Sequence, residues 1–256
     1  MNHLALTSAT TLSPCSDWAL FLDVDGTLLH IAPTPDGVAR SDAVCRLLSR
    51  LLPRLESALA LVSGRTIENL DHLFAPLRLP AAGLHGLERR DANGRLHMLG
   101  EAEALDHLRG PLAALAAGHQ GLLLEDKGRA LAFHYRLAPE QGVCARKRIE
   151  ALVASTPDLR LIHGKMVVEI KPRYADKGSA IRAFMAEPPF RNRIPLFIGD
   201  DATDEDGFRA VNALNGLSIH VGEVETTSAG YRLADVDQVR QWLARVADTL
   251  DAGGEG

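Results

Sequence analysis

Residues 18–28 read WALFLDVDGTL, an apolar run from Trp18 to Leu22 that passes straight into two aspartates one residue apart, Asp23 and Asp25. A run this short, stopped at Gly26, fits a buried strand of a parallel sheet that ends in a turn. The two carboxylates then stand at the carboxyl end of the strand, the edge where open α/β sheets bind ligands. Charges held so close repel one another, so the pattern points to a cation and an anionic substrate at that edge.

The same rhythm recurs downstream. The loop 31–42, rich in Pro, Asp and Gly, precedes a helical pattern over 42–54, and ALALV (58–62) predicts a second strand. It runs into SGRT and a helix through residue 74 whose amino end lies at Ser63 to Thr66. Residues 79–99 predict a short strand and a hairpin turned at Asn93-Gly94.

Over 101–170 the order becomes helix, two strands, helix, two strands, with the first helix interrupted at Pro111 and the last hairpin turned at Gly164-Lys165. That order predicts a small α+β domain, an antiparallel sheet backed by two helices, inserted into a larger α/β domain. Beyond it the βα alternation resumes: KGSAIRAFMAE as helix, IPLFIGD as strand, DEDGFRAVNAL as helix, LSIHV as strand and an amphipathic closing helix over 235–250. The expected organisation is a loose leader over 1–16, a core domain over 17–100 and 171–256, and the insertion over 101–170.

Composition narrows the function. The 256 residues are 46% hydrophobic with a net charge of −5 and no long basic run, which argues against nucleic-acid and membrane-surface partners and leaves a small molecule. Three scattered cysteines without CxxC spacing indicate neither a disulfide framework nor a zinc site and suit the cytoplasm, and no run reaches membrane-span length. The sequence does not fix the oligomeric state; a monomer is the simplest expectation.

DxDG also begins some calcium loops, but TLLHIAP after Gly26 lacks the required oxygen ligands. A second acidic strand end, IGDDATDED (198–206), brings Asp200 and Asp201 to the same edge in a βα fold. Asp201, Asp204 and Glu205 are also what a helix amino terminus favours. Oxygen donors alone select a hard ion such as Mg²⁺.

DVDGT (23–27), LVSGR (61–65), Lys177 in DKG and IGDDATDEDGF (198–208) resemble, in order, the four motifs of the haloacid dehalogenase superfamily of phosphatases. The resemblance implies a Rossmann-like core with a mainly parallel sheet, and the insertion looks like the α/β cap of that superfamily's sugar-phosphatase branch. The cap segments 83–97, 124–139 and 167–178 resemble those of bacterial trehalose-6-phosphate phosphatases, although Tyr174 replaces an expected Gly and Asp126 an expected small residue.

By that resemblance Asp23 is the nucleophile and Asp25 the proton carrier. Mg²⁺ is held by the Asp23 carboxylate, the Asp25 backbone carbonyl and Asp200, with Asp201 or Asp204 on its waters. Thr27, Ser63, Gly64, Arg65 and Lys177 form the phosphate cradle, Arg65 having a structural salt bridge as its alternative. Glu125, Lys127 and Glu169 contact the sugar, with His85, His134 and Arg173 as lesser candidates. A phosphatase for another sugar phosphate, a phosphosugar mutase and a noncatalytic sensor are the competing functions.

Overall fold

Alternate residues of the first apolar run face opposite layers: Trp18, Leu20 and Leu22 enter one hydrophobic cluster, Ala19 and Phe21 another. The chain is described by a computed structural model over residues 6–32, 37–99, 102–164 and 166–253. A strand apolar on both faces needs cover on both, the requirement of a doubly wound parallel sheet.

The chain divides into two compact units, Met1–Ile31 with Val38–His97 and Asp176–Gly256, and Ala32–Gly37 with Met98–Ala175. The larger unit begins with β1 (Thr7–Ser8), β2 (Trp18–Leu22), α1 (Asp42–Arg54), β3 (Leu59–Val62), α2 (Ile67–Phe74), β4 (Ala81–Gly83), β5 (Glu88–Arg90) and β6 (Leu96–Met98). The smaller holds α3 (Asp106–Ala117), β7 (Leu123–Asp126), β8 (Leu131–His134), α4 (Gly142–Val153), β9 (Leu159–Gly164) and β10 (Val167–Pro172). The larger resumes with α5 (Lys177–Met185), β11 (Ile194–Gly199), α6 (Glu205–Ala213), β12 (Leu217–Val221), β13 (Tyr231–Leu233) and α7 (Val236–Gly253).

In the larger unit the strand order is β1-β13-β12-β11-β2-β3-β4-β5-β6, parallel from β1 to β4 and antiparallel at β5. Helices α1, α2 and α7 cover one face through Leu48, Leu51, Leu70, Phe74, Trp242 and Leu243. On the other face α5 and α6 pack through Ile181, Phe184, Phe208 and Val211. The strands carrying DVDGT, SGR and IGDD, β2, β3 and β11, are neighbours at the centre, so their carboxyl ends converge.

In the smaller unit the antiparallel order is β7-β8-β10-β9. Leu108, Leu112, Ile149 and Val153 pack with Leu131, Phe133, Val168 and Ile170. Among the described residues no helix is long and apolar enough to cross a membrane.

Several expectations need correction. Residues 1–5 lie outside the described residues, but the rest of the supposed leader is not loose. Thr7–Ser8 pairs with β13, Ala9 is fully buried, and the Trp242 indole N–H donates to the Ala9 carbonyl at 3.0 Å. A buried indole needs an acceptor, and the segment supplies it. Pro111 does not interrupt its helix: Leu108 and Leu112, four apart, are buried and pin the segment, and the one lost backbone bond falls beside exposed His107. The last hairpin forms, with Gly164 still in the ladder opposite Val167, and Lys165 lies outside the described residues. The smaller unit runs past residue 170, because Lys171 and Pro172 continue the ladder opposite Arg160 and Leu159.

Candidate active site

Parallel pairing of β2 with β11 sets Leu22 opposite Ile198, and the Asp23 N–H donates to the Ile198 carbonyl at 3.0 Å. Asp23 and Asp200 therefore leave adjacent strands at one rim. Carboxylate oxygens of Asp23, Asp200 and Asp204 lie within 4.8 Å of one another. Gly26 lets the chain turn beneath Asp200: its φ is +85°, and a Cβ there would sit 2.2 Å from Asp200 Oδ2. Burial pushes Asp23 up to about 7 despite the neighbouring Lys177 ammonium, with the charges of Asp200 and Asp201 adding to the rise. Crowded, desolvated carboxylates with oxygen donors only are a fitting set for a hard divalent cation.

Lys177 is the first residue of α5. Asp176 caps that helix by accepting from the Ser179 N–H at 2.6 Å, with the reciprocal bond also present. The buried ammonium donates to Asp23 Oδ1 at 2.7 Å and Asp204 Oδ1 at 2.6 Å. Burial pulls its pKa down, but the carboxylates of Asp204 and Asp23 outweigh burial and hold it well above its ordinary range.

Asp204 accepts on its other oxygen from the N–H groups of Asp200 and Asp201 at 2.9 and 3.0 Å. Although its oxygens are close enough to join a metal cluster, both are engaged. Asp204 thus reads as the brace of the loop beside Asp23 and Asp200. Gly199, the last residue of β11, makes room for it, since a Cβ there would lie 2.2 Å from Asp204 Cγ. Asp201 Oδ1 likewise accepts from the Thr203 N–H and hydroxyl at 2.8 and 2.6 Å. Read from sequence, Asp204 stands on the ion's waters or at a helix amino terminus; the glycine at position 199, closing an otherwise apolar strand, is the available signal that a side chain packs against the strand end.

Ser63 follows β3 and is buried; of the Ser63 to Thr66 range expected for the amino end of α2, the cap falls at its last residue. That helix starts at Ile67, capped by Thr66, whose hydroxyl accepts from the Asn69 N–H at 3.1 Å. The intervening loop follows from Gly64 and the capping preference of Thr. The buried Thr27 hydroxyl lacks a hydrogen-bond partner among the described residues, an arrangement that costs free energy unless a ligand completes it. Arg65, expected either at the phosphate or in a structural salt bridge, grips Asp25, with Nε–Oδ2 at 2.6 Å and Nη2–Oδ1 at 2.7 Å.

His85 belongs to the larger unit. It adopts φ +53° beside Leu84 at +49°, and its Nε2 lies 2.6 Å from where a Gly64 Cβ would be. Consecutive left-handed residues without glycine are strained and concentrate at functional sites.

In the smaller unit, Glu125 and Glu169 both pair opposite Ala132, on one sheet face. Lys127 Nζ donates to Glu169 at 2.8 Å, and His134 Nε2 lies 2.9 Å from Glu125. Burial raises the Glu125 carboxyl, but the His134 bond and the Lys127 charge outweigh it and hold it below its ordinary range. Arg173 donates to the Pro157 carbonyl at 2.7 Å, bracing the chain. Asp126 accepts from Arg109 at 2.7 Å, and Tyr174 is exposed.

An acidic rim with a buried lysine at the strand ends of a doubly wound sheet, in a chain that also carries a small antiparallel α+β unit, fits the haloacid dehalogenase fold that the four motifs resemble. The trehalose-phosphatase family profile matches residues 21–237, and the chain belongs to that family. A probable trehalose-phosphate phosphatase of Sinorhizobium fredii is 50% identical over 90% of this chain and 88% of its own. The trehalose-6-phosphate phosphatase of Escherichia coli is 43% identical over 96% and 91%. Among solved structures, a trehalose-6-phosphate phosphatase related protein superposes with a TM-score of 0.77 at 29% identity, covering 92% of this chain and 99% of that one.

Proposed function

We propose that this chain hydrolyses trehalose 6-phosphate to trehalose and phosphate in the cytoplasm, a compartment that suits its three free cysteines, by way of an aspartyl-phosphate on Asp23. The observation that carries the reading is the meeting of Asp23, Asp200 and the Lys177 ammonium at one strand edge. A Mg²⁺ ion held by Asp23, Asp200 and the Asp25 carbonyl would offset the repulsion between carboxylate and phosphate dianion.

An Asp23 oxygen forms a bond to phosphorus as the bond from phosphorus to the sugar oxygen breaks, and Asp25 gives that oxygen its proton. Water then attacks phosphorus, gives its proton to Asp25, and frees the Asp23 carboxylate. Lys177 holds Asp23 in place and contributes positive charge; Thr27, Ser63 and Gly64 orient phosphate oxygens. Glu125, Lys127 and Glu169, tied together on one face of the smaller sheet, hydrogen-bond sugar hydroxyls.

Phosphate release from a panel of sugar phosphates with Mg²⁺ tests this. Trehalose 6-phosphate should be turned over fastest, a chelator should stop the reaction, and Asp23→Asn should be inactive while still binding substrate. A better substrate elsewhere in the panel would overturn the substrate assignment, transfer without net phosphate release would favour a mutase, and normal turnover by Asp23→Asn would overturn the nucleophile.

A further inference from the structure

We infer that Arg65 positions the proton carrier, Asp25, by a two-point fork, and is not a phosphate ligand. The inference rests on the reading of Asp23 and Asp25 just given. Asp25 is a half-exposed carboxylate on a short stem, free to sample several rotamers unless something holds it.

Arg65 offers a planar pair of N–H groups at the spacing of the two carboxylate oxygens, and both contacts are short, 2.6 and 2.7 Å. The guanidinium is itself anchored. Its Nη1 donates to Asn69 Oδ1 at 2.6 Å, in the first turn of α2. The Arg65 main chain is fixed at both ends: its N–H donates to Ser63 Oγ at 3.2 Å, and its carbonyl accepts from the Leu84 N–H at 2.8 Å. Gly83 permits this approach, because a Cβ there would lie 2.8 Å from the Arg65 carbonyl oxygen.

Three of the five guanidinium N–H groups are taken by Asp25 and Asn69, so the fork and its anchor fix the plane and position of the group on the Asp25 side. A proton carrier displaced by an ångström loses rate out of proportion to any loss of binding. A lysine cannot reproduce the fork, since it presents one point of charge. Asn69, touching only the guanidinium of this pair, acts one step further out.

The two roles separate on two substrates. A sugar alkoxide needs a proton to leave, whereas p-nitrophenolate leaves as a stable anion; hydrolysis of the phosphoenzyme needs the base with either substrate. For Arg65→Lys with trehalose 6-phosphate and Mg²⁺, kcat should fall about 100-fold while KM and the inhibition constant of inorganic phosphate stay within about threefold of the parent. In stopped flow, p-nitrophenyl phosphate should give a burst of nitrophenol near one equivalent per enzyme, then a slow phase, as phosphoenzyme accumulates. Asn69→Ala should shift kcat the same way by about threefold to tenfold.

A rise of tenfold or more in KM and in the phosphate inhibition constant, with kcat intact and no burst, would make Arg65 a phosphate ligand and overturn the inference. So would parent-like kcat in both variants. Failure of the parent enzyme to form a hydroxylamine-sensitive phosphoenzyme would instead remove the reading beneath it.

Discussion

Replacing Asp204 by Ala should destabilise the protein whether or not metal is present. The side chain is fully buried and accepts bonds from the Lys177 ammonium at 2.6 Å and from the N–H groups of Asp200 and Asp201 at 2.9 and 3.0 Å. Breaking a buried ion pair costs about 3–5 kcal/mol, and a buried donor left unpartnered about 1–3 kcal/mol. The terms overlap because Lys177 keeps Asp23 at 2.7 Å, so about 4 kcal/mol is the expected total. For a chain of this size that corresponds to a loss of roughly 8–16 °C in Tm. Asp204→Asn keeps the volume and an oxygen for the backbone donors but turns an amide N–H₂ toward the ammonium, so it should recover only part of the loss. Thermal and urea unfolding, each with chelator and with Mg²⁺, give the readout. If Asp204 were chiefly a metal ligand, mutant and parent would coincide in chelator and diverge only with Mg²⁺; that result, or a loss under about 1 kcal/mol in chelator, would refute the brace.

Three further outcomes follow from the same geometry. Gly26→Ala should lower kcat at least about 100-fold while leaving the fold intact by circular dichroism, since its Cβ would lie 2.2 Å from Asp200 Oδ2 at a left-handed φ. Mg²⁺ affinity should rise with pH, by up to tenfold per unit, until Asp23 is ionised near 7, and then level off, because the cation must displace the proton that burial keeps on that carboxyl; calorimetry should detect proton release at pH 6 and little at pH 8. Lys127→Ala should cut turnover of trehalose 6-phosphate at least about tenfold while changing p-nitrophenyl phosphate turnover less than about twofold, because it severs the 2.8 Å link to Glu169 but leaves the acidic rim untouched.

What was readable from sequence follows from how local each signal is. The strand ends at Asp23 and Asp200 were legible because a buried parallel strand must be apolar on both faces and stop where its first charges stand. The role of Thr7–Ser8 was not, because nothing local marks a short strand whose partner, β13, lies more than two hundred residues away. Pro111 misled for the opposite reason: its local signal is strong, and the burial of Leu108 and Leu112 overrides it. Arg65 was ambiguous because an arginine beside a serine suits a phosphate or a carboxylate equally; only the convergence of β2 and β3 makes Asp25 its partner.

The two aspartates that open the site therefore differ by environment rather than by type. Asp23 is buried, crowded by Asp200 and clasped by the Lys177 ammonium. Asp25, two residues on, is half exposed and forked by a guanidinium from the neighbouring strand's loop. A buried carboxylate restrained by a single charge suits bond formation at phosphorus, where position and desolvation matter most. A carboxylate at the solvent boundary suits proton exchange with an alcohol and then with water. Gly26 turns the chain away after the pair, and two different cations, one from α5 and one from the loop after β3, hold its two members in different surroundings.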